Sequence, residues 1–214
     1  MKIFKILVAT ILMVLMCTSV FAAVNLTPSA KVAYFQQMDQ GKSASNNYLF
    51  IGDVKIDGYY NDLYFSVKPE LMKTFGGANV TTPLTGLGLE TLIGYNLVNV
   101  KGFQLVPVAG LYYVYLTRDK QADTNRWTYT NDLYGKIGVQ AKYGVLYANL
   151  GVLAPLYSRS NSTLDYDTTF KVREDLELGV EYKVFKAGVF RKRLVQEAGW
   201  TEEAITGVLF GIKF

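Results

Sequence analysis

The amino-acid sequence predicts an all-β fold: an antiparallel, up-and-down transmembrane β-barrel of ten strands, with eight strands as the alternative. Three observations predict it. Apolar and polar residues alternate with a period of two through most of the chain. Short and long connections take turns between the alternating segments. The composition is half hydrophobic but only 19% charged, and it is rich in tyrosine (16 residues) and glycine (19).

The first segment of the chain is predicted to be a secretory signal peptide. Lys2 and Lys5 precede an apolar run at residues 6–16, and the small-residue pattern ending at Ala22 follows it. This order is typical of a signal cleaved after Ala22, so that the mature chain begins at Ala23. The run of 11 residues is shorter than the ~20 residues that a membrane-spanning helix needs. The sequence therefore predicts two parts, a signal at 1–22 and a barrel domain at 23–214.

Removal of the signal also removes the lone cysteine and changes the charge balance. Cys17 is expected to be discarded with the signal, since Met16 is a poor neighbour for the lipoprotein alternative. Without Lys2 and Lys5, the chain has 22 − 2 = 20 basic and 18 acidic residues, a net charge of +2. Such a balance does not favour a nucleic-acid partner, which requires clustered basic residues.

Ten segments carry the period-two alternation, and each is a predicted strand. In the clearest of them, residues 170–184, long charged side chains alternate with Leu176, Leu178 and Val180, as in a strand and not in a helix. The prolines Pro107 and Pro155 predict a bulge or bend in two segments. The predicted strands are 30–38, 48–56, 59–68, 86–97, 103–116, 131–142, 145–157, 169–184, 187–196 and 204–214.

The connections alternate between short and long. Asp57-Gly58 predicts a two-residue hairpin, and further short links are expected at Tyr143-Gly144, near Phe185-Lys186 and at Val98–Gly102. Short periplasmic turns and longer extracellular loops are typical of membrane barrels. The predicted long loops are 39–47, 69–85, 117–130, 158–168 and 197–203.

The two faces of each strand point to opposite sides of the barrel wall. A membrane barrel places its apolar residues outside, whereas a soluble carrier barrel places them inside. Opposite charges separated by glycines can pair within a narrow lumen, which favours the membrane orientation. For segment 187–196, we expect Arg191 and Arg193 inside and Lys192 towards lipid, because two arginines at the bilayer midplane cost about 2–4 kcal/mol each. The charged residues predicted to line the lumen are Asp53, Lys55, Glu90, Lys136, Lys142, Lys171, Arg173, Asp175, Glu177, Glu181, Lys183, Arg191 and Arg193, and the set is extended by Asp62, Tyr64, Ser66 and Lys68.

The C-terminal segment carries a resemblance to a known family. Residues 207–214 read Gly-Val-Leu-Phe-Gly-Ile-Lys-Phe, with alternating apolar residues and a terminal aromatic residue. With the signal and the all-β pattern, this segment resembles small bacterial outer-membrane β-barrel proteins of the porin-like or opacity type. The resemblance implies a location in the outer membrane of a Gram-negative cell. It also implies that Gly207, Phe210, Ile212 and Phe214 form the signal read by the barrel-assembly machinery.

The functional expectations follow from the resemblance and the composition. The chain has no histidine, which excludes Ser-His-Asp, Cys-His and His-metal chemistry, and we expect no catalytic residue, metal or cofactor. The main expectation is a non-enzymatic envelope protein, either structural with a plugged, salt-bridged lumen or a narrow channel for a small polar solute. A surface interaction or adhesion protein acting through its loops is the alternative, and a soluble periplasmic barrel with an apolar ligand is a third. The expected partners are outer-membrane lipid, lipopolysaccharide and the assembly machinery.

Overall fold

The structure, a computed structural model, describes residues 23–37, 45–77, 84–118, 129–160, 173–193 and 204–214. The predicted signal peptide and its cleavage site after Ala22 lie outside these residues, apart from Ala23 itself, and stay a prediction. The described residues form eleven strands: β1 Ala23–Gln37, β2 Ser45–Tyr60, β3 Leu63–Gly77, β4 Leu84–Tyr95, β5 Val98–Val100, β6 Phe103–Arg118, β7 Tyr129–Tyr143, β8 Leu146–Ser160, β9 Arg173–Tyr182, β10 Phe185–Arg193 and β11 Ala204–Ile212.

The strands close into one antiparallel barrel. Consecutive strands pair with each other, except that β4 pairs with β6 and not with β5, and β1 pairs with β11 to complete the circle. Strands β4 and β5 both pair with β6 and are separated only by Asn96 and Leu97. Together they therefore count as one interrupted strand of the barrel. The barrel therefore has ten strands, which confirms the predicted fold class and strand number.

Several strands extend further towards the long connections than the alternation predicted. The largest difference is β3, which was expected to end at residue 68 but continues through Pro69 to Gly77. Proline is tolerated here because the β2–β3 ladder has a gap between the pairs Asp53↔Glu70 and Ile56↔Val67, where no amide of Pro69 is needed.

The short turns join the strands at one end of the barrel, which we call the short-turn end. They are residues 61–62, 101–102, 144–145 and 183–184, and one residue of each has a positive φ angle, as tight hairpin turns require. The predicted hairpin at Asp57-Gly58 is wrong. These residues lie within β2 opposite Ser66 and Phe65, and the turn falls four residues later. The later turn allows Tyr59 to pack on Tyr64, with ring centroids 5.2 Å apart.

Both prolines that predicted irregular strands lie at bulges. At Pro155, the β7–β8 register passes from Tyr134↔Pro155 to Leu133↔Tyr157, so Leu156 is an extra residue. Near Pro107 the strand itself stays regular against β7, and its neighbour carries the bulge. Gly94 pairs with Val108 and Val98 pairs with Leu105. Three residues, 95–97, therefore lie opposite only two residues of β6, 106–107.

The outer surface of the barrel is apolar, with an aromatic girdle at each end. Ile137, near the middle of β7, is 63% exposed, and Ile93 of β4 is 70% exposed. On β2, the outward Tyr48 and Tyr60 are 60 − 48 = 12 residues apart. At ~3.3 Å per residue and a tilt of ~40°, they are separated by about 30 Å, the thickness of a hydrocarbon core. Further exposed aromatic residues of these girdles are Tyr34, Phe75 and Tyr157 towards the long connections, and Tyr95, Tyr143, Tyr182, Phe185 and Phe214 towards the short turns.

In the described part of the chain, no helix has the length and apolar character needed to cross a membrane.

Candidate functional site

The interior of the barrel is the candidate site, because it holds nearly all the paired charges. Alternation places Lys136 inside, while its neighbours Gly135 and Ile137 lie on the outward side of β7. The same rule on the other strands brings ten charged side chains to the middle of the interior, five lysines and five acids. They are Lys31, Lys68, Lys136, Lys186, Lys192, Asp53, Glu70, Glu90, Asp175 and Glu177.

Six of these residues form a closed ring of alternating charge, which we call the charge ring. Lys136 Nζ lies 2.5 Å from both Glu90 Oε2 and Asp175 Oδ2. Lys68 Nζ lies 3.2 Å from Glu90 Oε1 and 3.2 Å from Glu70 Oε1. Lys192 Nζ completes the ring, 3.4 Å from Glu70 Oε2 and 4.0 Å from Asp175 Oδ2. Each carboxylate has two ammonium partners, and the ring as a whole is neutral.

The charge ring also contacts an aromatic side chain. The Tyr112 hydroxyl donates a hydrogen bond to Glu70 Oε2 at 2.8 Å, and Lys192 Nζ lies 3.6 Å from the centroid of the Tyr112 ring. Tyr112 is fully buried, and the side chains of Glu70 and Glu90 are only 2% and 4% exposed. Charges so buried are tolerated only when they are paired and hydrogen-bonded.

The other four charged residues form an open chain beside the ring. Lys31 Nζ lies 3.1 Å from Asp53 Oδ2 and 3.3 Å from Glu177 Oε2. Lys186 Nζ lies 2.6 Å from Glu177 Oε1. Ser29 donates a hydrogen bond to the second oxygen of Asp53 at 2.5 Å. This chain is also neutral, with two lysines and two acids.

Towards the long connections, the interior is filled by apolar side chains. Leu116, Leu153 and Leu209 are almost completely buried, as expected for close-packed side chains in a narrow barrel. We call this region the apolar half. Its members are Ala33, Leu49, Ile51, Met72, Tyr112, Val114, Leu116, Tyr134, Leu153, Phe190, Ile205 and Leu209.

Most of the charged residues predicted to line the lumen lie in the interior. Asp53, Glu90 and Lys136 are buried there, and the other predicted charged residues that lie inside are half-buried. Arg173 Nη1 donates to the Tyr134 hydroxyl at 2.5 Å, near the long connections. Nearer the short turns, Lys142 and Glu181 pair at 2.8 Å. The predicted residues placed inside are Asp53, Lys55, Glu90, Lys136, Lys142, Arg173, Asp175, Glu177, Glu181, Tyr64, Ser66 and Lys68.

The structure reverses the prediction for β10. Lys192 is buried in the charge ring, whereas Arg191 and Arg193 face outward and contact Glu174 Oε1 at 2.5 and 3.4 Å. The expectation relied on the cost of arginine at the bilayer midplane. These arginines lie in the last residues of β10, next to a long connection, where the cost falls to about 0–1 kcal/mol.

Three further predicted residues are not in the interior of the described structure. Lys183 belongs to the turn after β9, is exposed and has a φ of 54°, with Nζ 5.5 Å from the Tyr182 ring centroid. Asp62 is likewise an exposed turn residue. Lys171 lies outside the described residues. Both corrections have one cause: alternation was continued into residues that form the short turns.

Several interior charges were missed from the sequence. Lys31, Glu70, Lys186 and Lys192 all bind partners in the interior. The sequence prediction omits Glu70 because proline is a strand breaker, so that a loop is predicted to begin at Pro69. The alternation continues past Pro69, with Met72 and Thr74 on the buried face, and this signal was sufficient to extend the strand.

The predicted assembly residues lie on the strand that closes the barrel. Phe210, Ile212 and Phe214 face outward, and Gly207 lies opposite Ala33 of β1. The backbone N–H of Phe214 donates to Leu26 O at 2.8 Å, so the ladder reaches the last residue of the chain. Recognition of these residues by the assembly machinery stays a prediction.

The interior chemistry is that of neutralised pairs. Asp175 and Glu177 are neighbours on one face of β9, but each binds its own lysines, Asp175 in the ring and Glu177 in the open chain. Within the described residues, no group of three or more Asp, Glu, His or Cys side chains is arranged to hold a metal ion.

Comparisons with known proteins find likeness at the level of shape. No protein-family model and no curated protein matches the chain. The translocator domain of the autotransporter NalP from Neisseria meningitidis has a TM-score of 0.49 at 14% identity, over 90% of this chain and 89% of that one. Neisserial surface protein A has a TM-score of 0.42 at 10% identity, over 88% and 95%. An outer membrane channel from Pseudomonas putida F1 has a TM-score of 0.43 at 10% identity, over 91% of this chain and 98% of that one.

The fold and its two surfaces define the class of the protein. A closed barrel with an apolar exterior between two aromatic girdles, and with paired charges inside, is a transmembrane β-barrel of the bacterial outer membrane. The exposed Ile137, Val139 and Leu178 would lie inside a soluble carrier, together with the other apolar residues of their faces. Their outward position is opposite to the arrangement expected of such a carrier.

Proposed function

We propose that this protein is a non-conducting, non-enzymatic barrel that acts as a structural component of the outer membrane. The observation that carries the proposal is the filled interior. Across the described residues, the charge ring and the apolar half occupy the barrel together, with Tyr112, Val114 and Leu153 fully buried. Ion conduction needs a hydrated path, which these buried side chains oppose.

Planar-bilayer recording tests the non-conducting part of the proposal. The purified barrel should give no current steps even at high protein load, and heat-denatured protein and detergent alone serve as controls. Ion-sized steps that disappear after denaturation would overturn this part.

A permeability assay tests the structural part. Deletion of the gene should increase the uptake of a bulky hydrophobic dye by intact cells, and expression of the chain should restore the barrier. A deletion strain with a normal barrier would contradict a structural role.

A narrow channel for a small polar solute is the second candidate. It is favoured by two adjoining polar cavities of about 40 and 110 Å³, which share Thr27, Lys55 and Asn149 in their walls and extend from the ring towards the short turns. Passage would require the apolar half to open. The bilayer recording therefore also decides this candidate.

The adhesion alternative depends on the long connections. The three longest, residues 119–128, 161–172 and 194–203, lie outside the described residues, and the alternative stays a prediction. Deletion of these loops without loss of cell attachment would count against it.

We also propose lipopolysaccharide as a partner of the outer surface. Arg191 and Arg193 face outward beside the long connections, where the lipid headgroups of the outer leaflet would lie. Their guanidinium groups suit phosphate oxygens. Replacing both with glutamine should weaken co-purification of lipopolysaccharide, and unchanged co-purification would contradict this contact.

A further inference from the structure

The short-turn end of the barrel contains a polar cavity of about 110 Å³, which we call the short-turn cavity. Its walls are side chains of eight of the ten barrel strands, together with Lys213 in the segment after β11. Its volume exceeds the ~30 Å³ that one water molecule occupies in the liquid, so it has room for a small solute.

The cavity has an excess of positive charge. Three of its lysines, Lys55, Lys142 and Lys213, form ion pairs with only two acids, Asp57 and Glu181, which leaves a charge of 3 − 2 = +1. Lys142 Nζ and Lys213 Nζ both bind one oxygen, Glu181 Oε1, at 2.8 and 3.2 Å. Lys186 also lines the cavity, but it is already paired with a residue of the open chain. One ammonium charge is therefore uncompensated.

Two buried hydroxyl groups in the same wall lack a hydrogen-bond partner. Tyr64 and Tyr147 are only 2% and 8% exposed, and neither hydroxyl is hydrogen-bonded within the described residues. Leaving a buried polar group unsatisfied costs about 1–3 kcal/mol, so an unpaired hydroxyl here needs an explanation. A bound acceptor with negative charge would satisfy both the hydroxyls and the excess lysine.

We propose that the short-turn cavity binds a small oxyanion, the carboxylate or phosphate group of a free solute. Lys142 and Lys213 supply the charge, and Tyr64 and Tyr147 supply hydrogen-bond donors. Because the walls are inward side chains, a lipid headgroup in the surrounding leaflet lies on the other side of the barrel wall. The inference is independent of the proposed structural role, since a non-conducting barrel can still bind a solute at one mouth.

Calorimetric titration of the purified barrel with inorganic phosphate, and separately with acetate, tests the proposal. A neutral detergent without phosphate keeps lipid headgroups out of the experiment. The wild type should show saturable binding of at least one anion. Lys142→Gln should weaken it about tenfold, since a charge-assisted contact is lost, and tenfold corresponds to about 1.4 kcal/mol. Tyr64→Phe should weaken it about threefold, as expected for one neutral hydrogen bond.

Two further variants control for general charge effects and for misfolding. Lys101→Gln removes the same charge from an exposed turn at the same end, outside the cavity, and should leave the affinity unchanged. Lys142→Arg should retain binding and heat-modifiable gel migration. Absence of saturable binding by the wild type would overturn the proposal. So would an equal loss in Lys101→Gln, or binding seen only with added anionic lipid.

Discussion

Replacement of Lys136 by methionine tests the energetic role of the charge ring. The substitution keeps much of the side-chain volume but removes the ammonium that lies 2.5 Å from both Glu90 and Asp175. The ring then holds two lysines and three carboxylates. Breaking a buried ion pair from one side costs about 3–5 kcal/mol, because the partner keeps an uncompensated buried charge.

The structure places the expected loss at the lower end of that range. Glu90 keeps Lys68 at 3.2 Å, so it retains a close partner. Asp175 keeps only Lys192, at 4.0 Å. One carboxylate and not two is therefore left nearly uncompensated, and Lys136→Met should lower the free energy of unfolding by about 3 kcal/mol, roughly a hundredfold in the unfolding equilibrium.

Denaturant unfolding of the barrel in lipid vesicles, followed by circular dichroism and heat-modifiable gel migration, measures this loss. Adding Asp175→Asn to Lys136→Met should recover most of it, since the excess carboxylate is then gone. Lys101→Met, in an exposed turn, should change stability by less than about 0.5 kcal/mol. A loss below about 1 kcal/mol, or no recovery in the double variant, would refute the ring as a set of coupled buried charges.

Three other substitutions test the wall and its assembly. Ile137→Lys, near the middle of the outward face of β7, should lower the free energy of unfolding in vesicles by about 2–4 kcal/mol, whereas Val100→Lys beside a short turn should cost at most about 1 kcal/mol; equal losses would contradict the assigned bilayer depth. Gly110→Ala places a Cβ against the backbone of Thr91 and should cost about 1–3 kcal/mol in the same assay, whereas Gly52→Ala meets only a side chain at 3.4 Å and should be nearly neutral. Phe214→Ala removes a side chain that is 71% exposed, so refolding in detergent should be unchanged while the amount of barrel in the outer membrane falls; an unchanged amount in cells would refute the assembly role.

The fold could be predicted from the sequence because alternation and connection length are local signals. Each strand repeats the same inward and outward rule, and the four short turns fix the order of the hairpins. The errors arose where a local signal had two meanings. Asp57-Gly58 is a common turn dipeptide that here continues a strand, and Pro69 is a strand breaker that here falls at a gap in the ladder.

The charge ring could be predicted only in part. Alternation was enough to direct Lys136, Glu90 and Asp175 inward, but their pairing depends on how the barrel closes. Lys136 and Glu90 are 46 residues apart, and Lys192 and Glu70 are 122 apart. Such pairs need the tilt and stagger of all the strands, which no single segment encodes. The orientation of Lys192 also depended on its depth in the bilayer, which a strand-by-strand interpretation does not provide.

The charge ring also supplies a reason for the barrel to choose one register. In the apolar half, both faces of a strand are apolar; Leu111 faces lipid and Tyr112 and Val114 face inward, so alternation alone barely distinguishes the two faces of β6 there. A one-residue slip of β3, β7 or β10 would exchange the faces of that strand and turn its ring lysine, Lys68, Lys136 or Lys192, towards lipid. Near the midplane, that exchange costs about 2–4 kcal/mol for a single lysine, before the loss of its partners is counted. The neutral ring therefore need not add net stability to the barrel, because it acts on specificity by raising the free energy of registers slipped by one residue.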